Sequence, residues 1–170
     1  MEEGILKVCG RFTGNAAIKS IERYGEGHIN DTFLVKTDEN GEEKKYLFQR
    51  INDKVFKDVP RLMNNIKLVT DFARKKITER GGDADRESLT IIPTHDGEPY
   101  YYDGKDYYRM YKFIDRSITY QISEGKETFY QSALAFGRFA LLIADFDANL
   151  LFESIPRFHD TRKQIGRAHV

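Results

Sequence analysis

The chain has 170 residues, 40% hydrophobic and 32% charged, which is within reach of one globular domain with its own core. Lys+Arg 27 against Asp+Glu 27 leaves a formal net charge of +0, so nothing draws the molecule globally to nucleic acid or an anionic membrane, and neither is expected as a partner. Arg138 interrupts the longest apolar stretch, Met1-Glu2-Glu3-Gly4 lacks the basic start of a signal peptide, and a lone Cys9 forms no internal disulfide; a cytoplasmic protein is expected.

Taken in chain order, an amphipathic helix is predicted over roughly Ile5 to Phe12, and alternation from Ile18 to Tyr24 predicts a first strand. A paired-glycine turn follows. Thr32 to Thr37 reads as a second strand, Asp38-Glu39-Asn40-Gly41 as a hairpin turn and Lys45 to Ile51 as a third strand. From Val59 to about Arg80, Leu62, Ile66, Val69, Ala73 and Ile77 recur at helical spacing, with Gly81-Gly82 as the stop. Leu89 to Ile92 and Tyr107 to Phe113 read as strands, separated by a hairpin with turns at Asp96-Gly97 and Asp103-Gly104. A second long helix is predicted from about Lys126 to Phe146 through Phe129, Leu134, Phe136, Phe139, Leu142 and Ile143. The fold class is therefore α+β: an antiparallel sheet of about five strands with a long helix on one face, followed by helices with little to cover them.

The turn Tyr24-Gly25-Glu26-Gly27-His28-Ile29-Asn30-Asp31-Thr32 carries the most chemistry. Gly25 and Gly27 lack a Cβ, so the turn is free to take positive φ and bring N–H groups against an anion, while His28, Asn30 and Thr32 add side-chain donors. Because the loop returns into a strand, a Rossmann turn or Walker loop, which open a helix, fits less well than a kinase-type glycine loop. Paired glycines in hairpins are also commonly just turns. Three strands, a helix, two strands and a helical segment is, however, the order of a protein-kinase-like N-lobe, whose last strand leads through a hinge into a helical C-lobe. The scattered His28, His95, His159 and His169 give no metal-ligand spacing. The tyrosines at 100, 101, 102, 107, 108 and 111 read as strand packing.

The run from Tyr24 to Val35 resembles the phosphate loop of the aminoglycoside phosphotransferase and choline kinase superfamily, and more narrowly the N-acetylhexosamine 1-kinase group. Further matching segments are Tyr46 to Asn52, Leu62-Met63-Asn64-Asn65-Ile66 with Leu68-Val69-Thr70, Tyr111 to Ile114, Ala135-Phe136-Gly137 with Phe139, and Phe158 to Thr161. They run in family order nearly to Gln164. The resemblance implies a kinase-like nucleotide-binding N-lobe over 1–114, the helical start of a C-lobe over 115–164, and ATP- and magnesium-dependent phosphorylation of the anomeric hydroxyl of N-acetylglucosamine or N-acetylgalactosamine. ATP and a sugar acceptor are its expected partners.

On this resemblance Gly25, Gly27, His28 and Asn30 cover the triphosphate, mostly through backbone donors. Alternation puts Leu47 and Gln49 on one face of the third strand and Tyr46, Phe48 and Arg50 on the other. With Leu47 facing adenine, Gln49 stands where kinases place a phosphate-pairing lysine; its other reading is a plain polar strand residue. Lys67, near the usual lysine-pairing acid, reads as a solvated helix residue. Lys112-Phe113-Ile114 is the hinge, meeting adenine through backbone groups. Asp160 or Thr161 reads as a helix cap.

Phosphoryl transfer in this superfamily also needs an aspartate orienting the acceptor, an asparagine a few residues later on metal, and a second aspartate on magnesium. These 170 residues hold no such catalytic loop, so the chain by itself is expected to be inactive. Ile165-Gly-Arg-Ala-His-Val170 matches one translated frame of a common sequencing adapter before a stop, so 165–170 is expected to be non-native and the gene to continue. Another small-molecule kinase of the superfamily, or a free-standing nucleotide-binding or interaction module, are the competing readings.

Overall fold

The computed structural model describes residues 2–118, 122, 125–158, 160 and 161. His159 and the tail 165–170 lie outside them, as do residues 162–164, and Thr161 is helical, so the cap expected at Asp160 or Thr161 falls at their edge. The elements are α1 (Glu2–Thr13), β1 (Ala17–Arg23), β2 (Asp31–Glu39), β3 (Glu42–Ile51), α2 (Val59–Glu79), α3 (Ala84–Glu87), β4 (Ile91–Ile92), β5 (Tyr101–Tyr102), β6 (Tyr107–Lys112) and α4 (Lys126–Leu142), with a 3₁₀ turn at Ala148–Leu150.

The sheet grows from the β2–β3 hairpin. These strands pair from Asp31↔Arg50 to Glu39↔Glu42. At the turn, Asn40 and Gly41 have φ of 57° and 86°, the double positive φ of a type I′ hairpin, and the Asp38 carboxylate accepts the Gly41 N–H at 2.7 Å. β1 adds outside β2 and β6 outside β3, while β4 and β5 share the far edge of β6; every pairing is antiparallel. The sheet thus has six strands where about five are expected, because Tyr101-Tyr102 folds back onto Tyr108-Tyr107 as a strand of its own. The strand expected over Leu89 to Ile92 shrinks to Ile91–Ile92, and a short α3 precedes it.

Both faces of the sheet are covered, one by each long amphipathic segment. Val8, Cys9 and Phe12 of α1 close over Val35, Phe48, Tyr108 and Met110 on one side. On the other, Val59, Leu62 and Met63 of α2 meet Ile51, with Ile91 and Tyr107 beside them. The expected α2 stripe is withdrawn from water, Leu62, Ala73 and Ile77 being buried and Ile66 and Val69 half-buried. Each large side chain buried in this way contributes about 1.5–3 kcal/mol. α2 starts on a capped turn, Asp58 accepting the Arg61 N–H at 3.0 Å, and stops where Gly81 takes φ 78°.

α4 stands apart. It ends at Leu142, four residues short of the expected Phe146, because the chain bends back onto α2, where Phe146 packs edge-on against Phe72 and Asp145 pairs with Lys76. None of its residues is buried. Phe129 (72%), Phe136 (75%) and Leu141 (76%) are largely exposed.

Candidate functional site

The glycine turn is pinned at both ends. The Tyr24 N–H donates to the Thr32 carbonyl at 2.9 Å, and the Asn30 side-chain oxygen accepts the Asn52 N–H at 3.0 Å, tying the loop to the end of β3. Of the two glycines whose missing Cβ leaves the turn free to take positive φ, Gly25 does so, at 75°, and Gly27 does not. A Cβ at either position meets nothing within 4 Å, so the surface over the turn is open. Beside it lies a cleft of about 580 Å³ lined by Gly27, His28, Asn30, Asp31, Arg50 and Lys54 among others. The Arg50 guanidinium, hydrogen-bonded to Asp31 and helped by Arg23, holds that carboxyl below its usual range, so Asp31 is an anion locked to cations rather than a free base.

A second set of predicted positions lies on the α2 face of the sheet. Thr32, Gln49 and Arg109 stand directly opposite one another on β2, β3 and β6. Their side chains join into one hydrogen-bonded line: Gln49 Nε2 donates to Thr32 Oγ1 at 2.9 Å, and Arg109 Nε donates to Gln49 Oε1 at 2.9 Å. Gln49 is therefore fixed from both sides. Leu47 sits one step along the same face, opposite Leu34 and Tyr111, half-buried and apolar.

The hinge expectation is partly redirected. The Lys112 N–H donates to the Thr90 carbonyl at 2.9 Å and the Phe113 N–H to the Lys45 carbonyl at 3.0 Å, so both donors are spent within the protein. The Lys112 ammonium goes to Asp85 at 2.6 Å, and Asp85 also takes Arg74 at 2.8 Å. These hydrogen bonds, Lys112 first, hold the Asp85 carboxyl well below the usual carboxylate range and clamp the end of β6 to α2 and α3. Lys45 and Arg86 add a second tie through Asp115, at 2.9 Å and 2.8 Å. The Phe113 ring turns toward the glycine loop and meets Tyr24. Lys67 pairs with Asp71 one turn along α2, exposed to solvent.

The nine expected positions thus fall into three neighbouring groups. Gly25, Gly27, His28 and Asn30 form the loop and part of the cleft rim, Thr32, Leu47 and Gln49 lie on the α2 face, and Lys112 and Phe113 end β6. The cleft is lined by Gly27, His28 and Asn30 of the first group and leaves Gly25, Thr32, Leu47, Gln49, Lys112 and Phe113 outside its lining. Sequence reading missed Arg109, the contact of Tyr24 with Phe113 and the Asp85 clamp. Among the described residues no three His, Cys, Asp or Glu side chains converge on a metal position, and no helix is long and apolar enough to cross a membrane. No protein-family model matches the chain.

Proposed function

We propose that this chain is the nucleotide-binding part of an ATP- and magnesium-dependent kinase that phosphorylates the anomeric hydroxyl of an N-acetylhexosamine. The observation that carries the nucleotide half of this reading is positional. A glycine turn with left-handed Gly25 joins two antiparallel strands, Leu47 and Gln49 of the next strand share the α2 face, and the strand beside it runs into a segment that reaches back to the turn through Phe113 and Tyr24. Backbone N–H groups of the turn suit phosphate oxygens, and the apolar Leu47 beside Tyr111 suits a flat base. The acceptor sugar rests on the sequence resemblance alone.

Magnesium would enter with the phosphates, since the described residues offer it no three-ligand set. The aspartate that orients the acceptor and the metal-binding pair would come from sequence outside these 170 residues. Ground-state nucleotide binding without them does not accelerate the chemical step. The test is a nucleotide titration of the purified chain beside a coupled ADP-release assay with N-acetylglucosamine or N-acetylgalactosamine. Magnesium-sensitive ATP binding without sugar-dependent turnover is expected. Turnover that survives removal of contaminating kinases would overturn the assignment of the catalytic machinery, and absence of any nucleotide affinity would overturn the reading itself.

A further inference from the structure

Arg109 is the most costly side chain in the molecule to explain. It sits in the middle of β6, flanked by Tyr108 and Met110 on the opposite face, and is only 9% exposed. Taking a guanidinium out of water is costly, and proteins ordinarily offset this with a carboxylate. Among the described residues Arg109 has none. Its Nε binds the neutral Gln49 amide, its Nη1 lies 3.8 Å from the Met63 sulfur, a weak acceptor, and its guanidinium lies 5.2 Å from the Tyr111 ring centroid. Burial accordingly pushes its pKa down, though an arginine stays charged under any ordinary condition.

Several neighbouring cations are neutralised, although Lys54 and Lys105 of the cleft have no ion pair among the described residues. Arg50 and Arg23 take Asp31, Arg74 and Lys112 take Asp85, and Lys67 takes Asp71. Arg109 alone among these faces the α2 side of the sheet with its charge unmet. Its Nη2 has no hydrogen-bond partner among the described residues and is not sealed from solvent. Gln49 and Thr32 brace the guanidinium along the sheet, leaving that outer edge for a ligand.

We propose that Arg109 is the phosphate-binding cation of this site, supplying from β6 the positive charge that Gln49 cannot supply from β3. This rests on the nucleotide-binding reading given above and deepens it. The ligand it takes is a phosphate oxygen of a nucleoside di- or triphosphate, which the fork of an arginine binds through two N–H groups at once. Gln49 acts as a positioning residue: its carbonyl oxygen accepts from Nε and fixes the plane of the guanidinium, and Thr32 fixes Gln49 in turn.

The experiment titrates the full chain with ATP, adenosine and inorganic tripolyphosphate, for wild type, Arg109→Met and Arg109→Lys, with thermal melting to establish folding. A hydrogen bond to a charged group corresponds to a loss of roughly 10- to 100-fold, and that loss is expected for ATP and tripolyphosphate with Arg109→Met, while adenosine binds as before. Arg109→Lys, keeping the charge without the fork, should fall between. A folded Arg109→Met that binds ATP as wild type does overturns the proposal and leaves the nucleotide reading standing. A wild type that binds neither ATP nor adenosine overturns both. Should Arg109→Met not fold, the wild-type protein still decides: the Arg109 Nε–Hε resonance must shift with tripolyphosphate, and an unmoved resonance at saturation refutes the assignment.

Discussion

The rings of Tyr24 and Phe113 meet edge to face, centroids 5.5 Å apart and planes at 89°. One residue opens the glycine turn and the other follows the last strand, so this contact holds together two ends of the candidate site that are far apart in sequence. Tyr24 is partly exposed, which puts its contribution near the lower end of the range for aromatic pairs. A double-mutant cycle of Tyr24→Ala and Phe113→Ala should give a coupling of about 0.5 kcal/mol by urea unfolding. Strict additivity would mean that the pair does not hold the loop.

Gly25 and Gly27 should separate cleanly. A Cβ at Gly25 is strained by φ 75°, so Gly25→Ala should destabilise the protein by roughly 1–2 kcal/mol, read as a lower unfolding midpoint. Gly27 has neither positive φ nor a neighbour within 4 Å, so Gly27→Val should leave stability within about 0.5 kcal/mol of wild type. The same variant should still weaken ATP about tenfold, by blocking approach of phosphate to the turn. Equal ATP affinity in wild type and Gly27→Val would remove the loop from the site.

β1, β2, β3, β6 and both long helices were legible in the sequence because each announces itself locally, by alternation, by the Asn40-Gly41 turn or by the stripe from Leu62 to Ile77, while the two-residue β4 and β5 are too short to show a period. What escaped is cross-strand. Arg109 is visible as a charge in an aromatic strand, yet that it stands opposite Gln49, and Gln49 opposite Thr32, is a matter of register between segments far apart in the chain. The same holds for Lys112, whose partner Asp85 sits on a four-residue helix too short to show a period. Which of the two turn glycines takes the positive φ was not legible either, because composition permits it at both Gly25 and Gly27 without requiring it. α4 ran past its end because Ile143 and Phe146 continue the apolar spacing while the chain itself turns back to α2.

The Asp85 clamp gives a pH dependence with a definite sign. Its folded pKa is depressed, so the stabilisation is fully present above the unfolded value of about 4 and is lost as pH falls below it toward the folded value. Asp85→Asn should therefore lower the unfolding midpoint at pH 7 and flatten the decline of stability between about pH 4 and pH 2.5. An unchanged acid limb in the variant would show that Lys112 and Arg74 do not depend on this carboxylate.

The exposed face of α4 should make itself felt in solution. Phe129 and Phe136 are 72% and 75% exposed, so Phe129→Gln with Phe136→Gln should reduce hydrophobic-dye fluorescence and self-association while leaving the melting temperature essentially unchanged. A clear drop in melting temperature would mean that these rings are packed in the folded protein.

The most direct test of the central claim is an amide chemical-shift titration of the isotope-labelled chain with magnesium and ATP. A kinase-type nucleotide site predicts saturable shifts at Gly25, Gly27, His28 and Asn30 in the turn, at Leu47 and Gln49 on the α2 face, and around Phe113 and Ile114, with α1 unmoved. Saturable shifts confined to α1 or α4, or none at millimolar nucleotide, would contradict it.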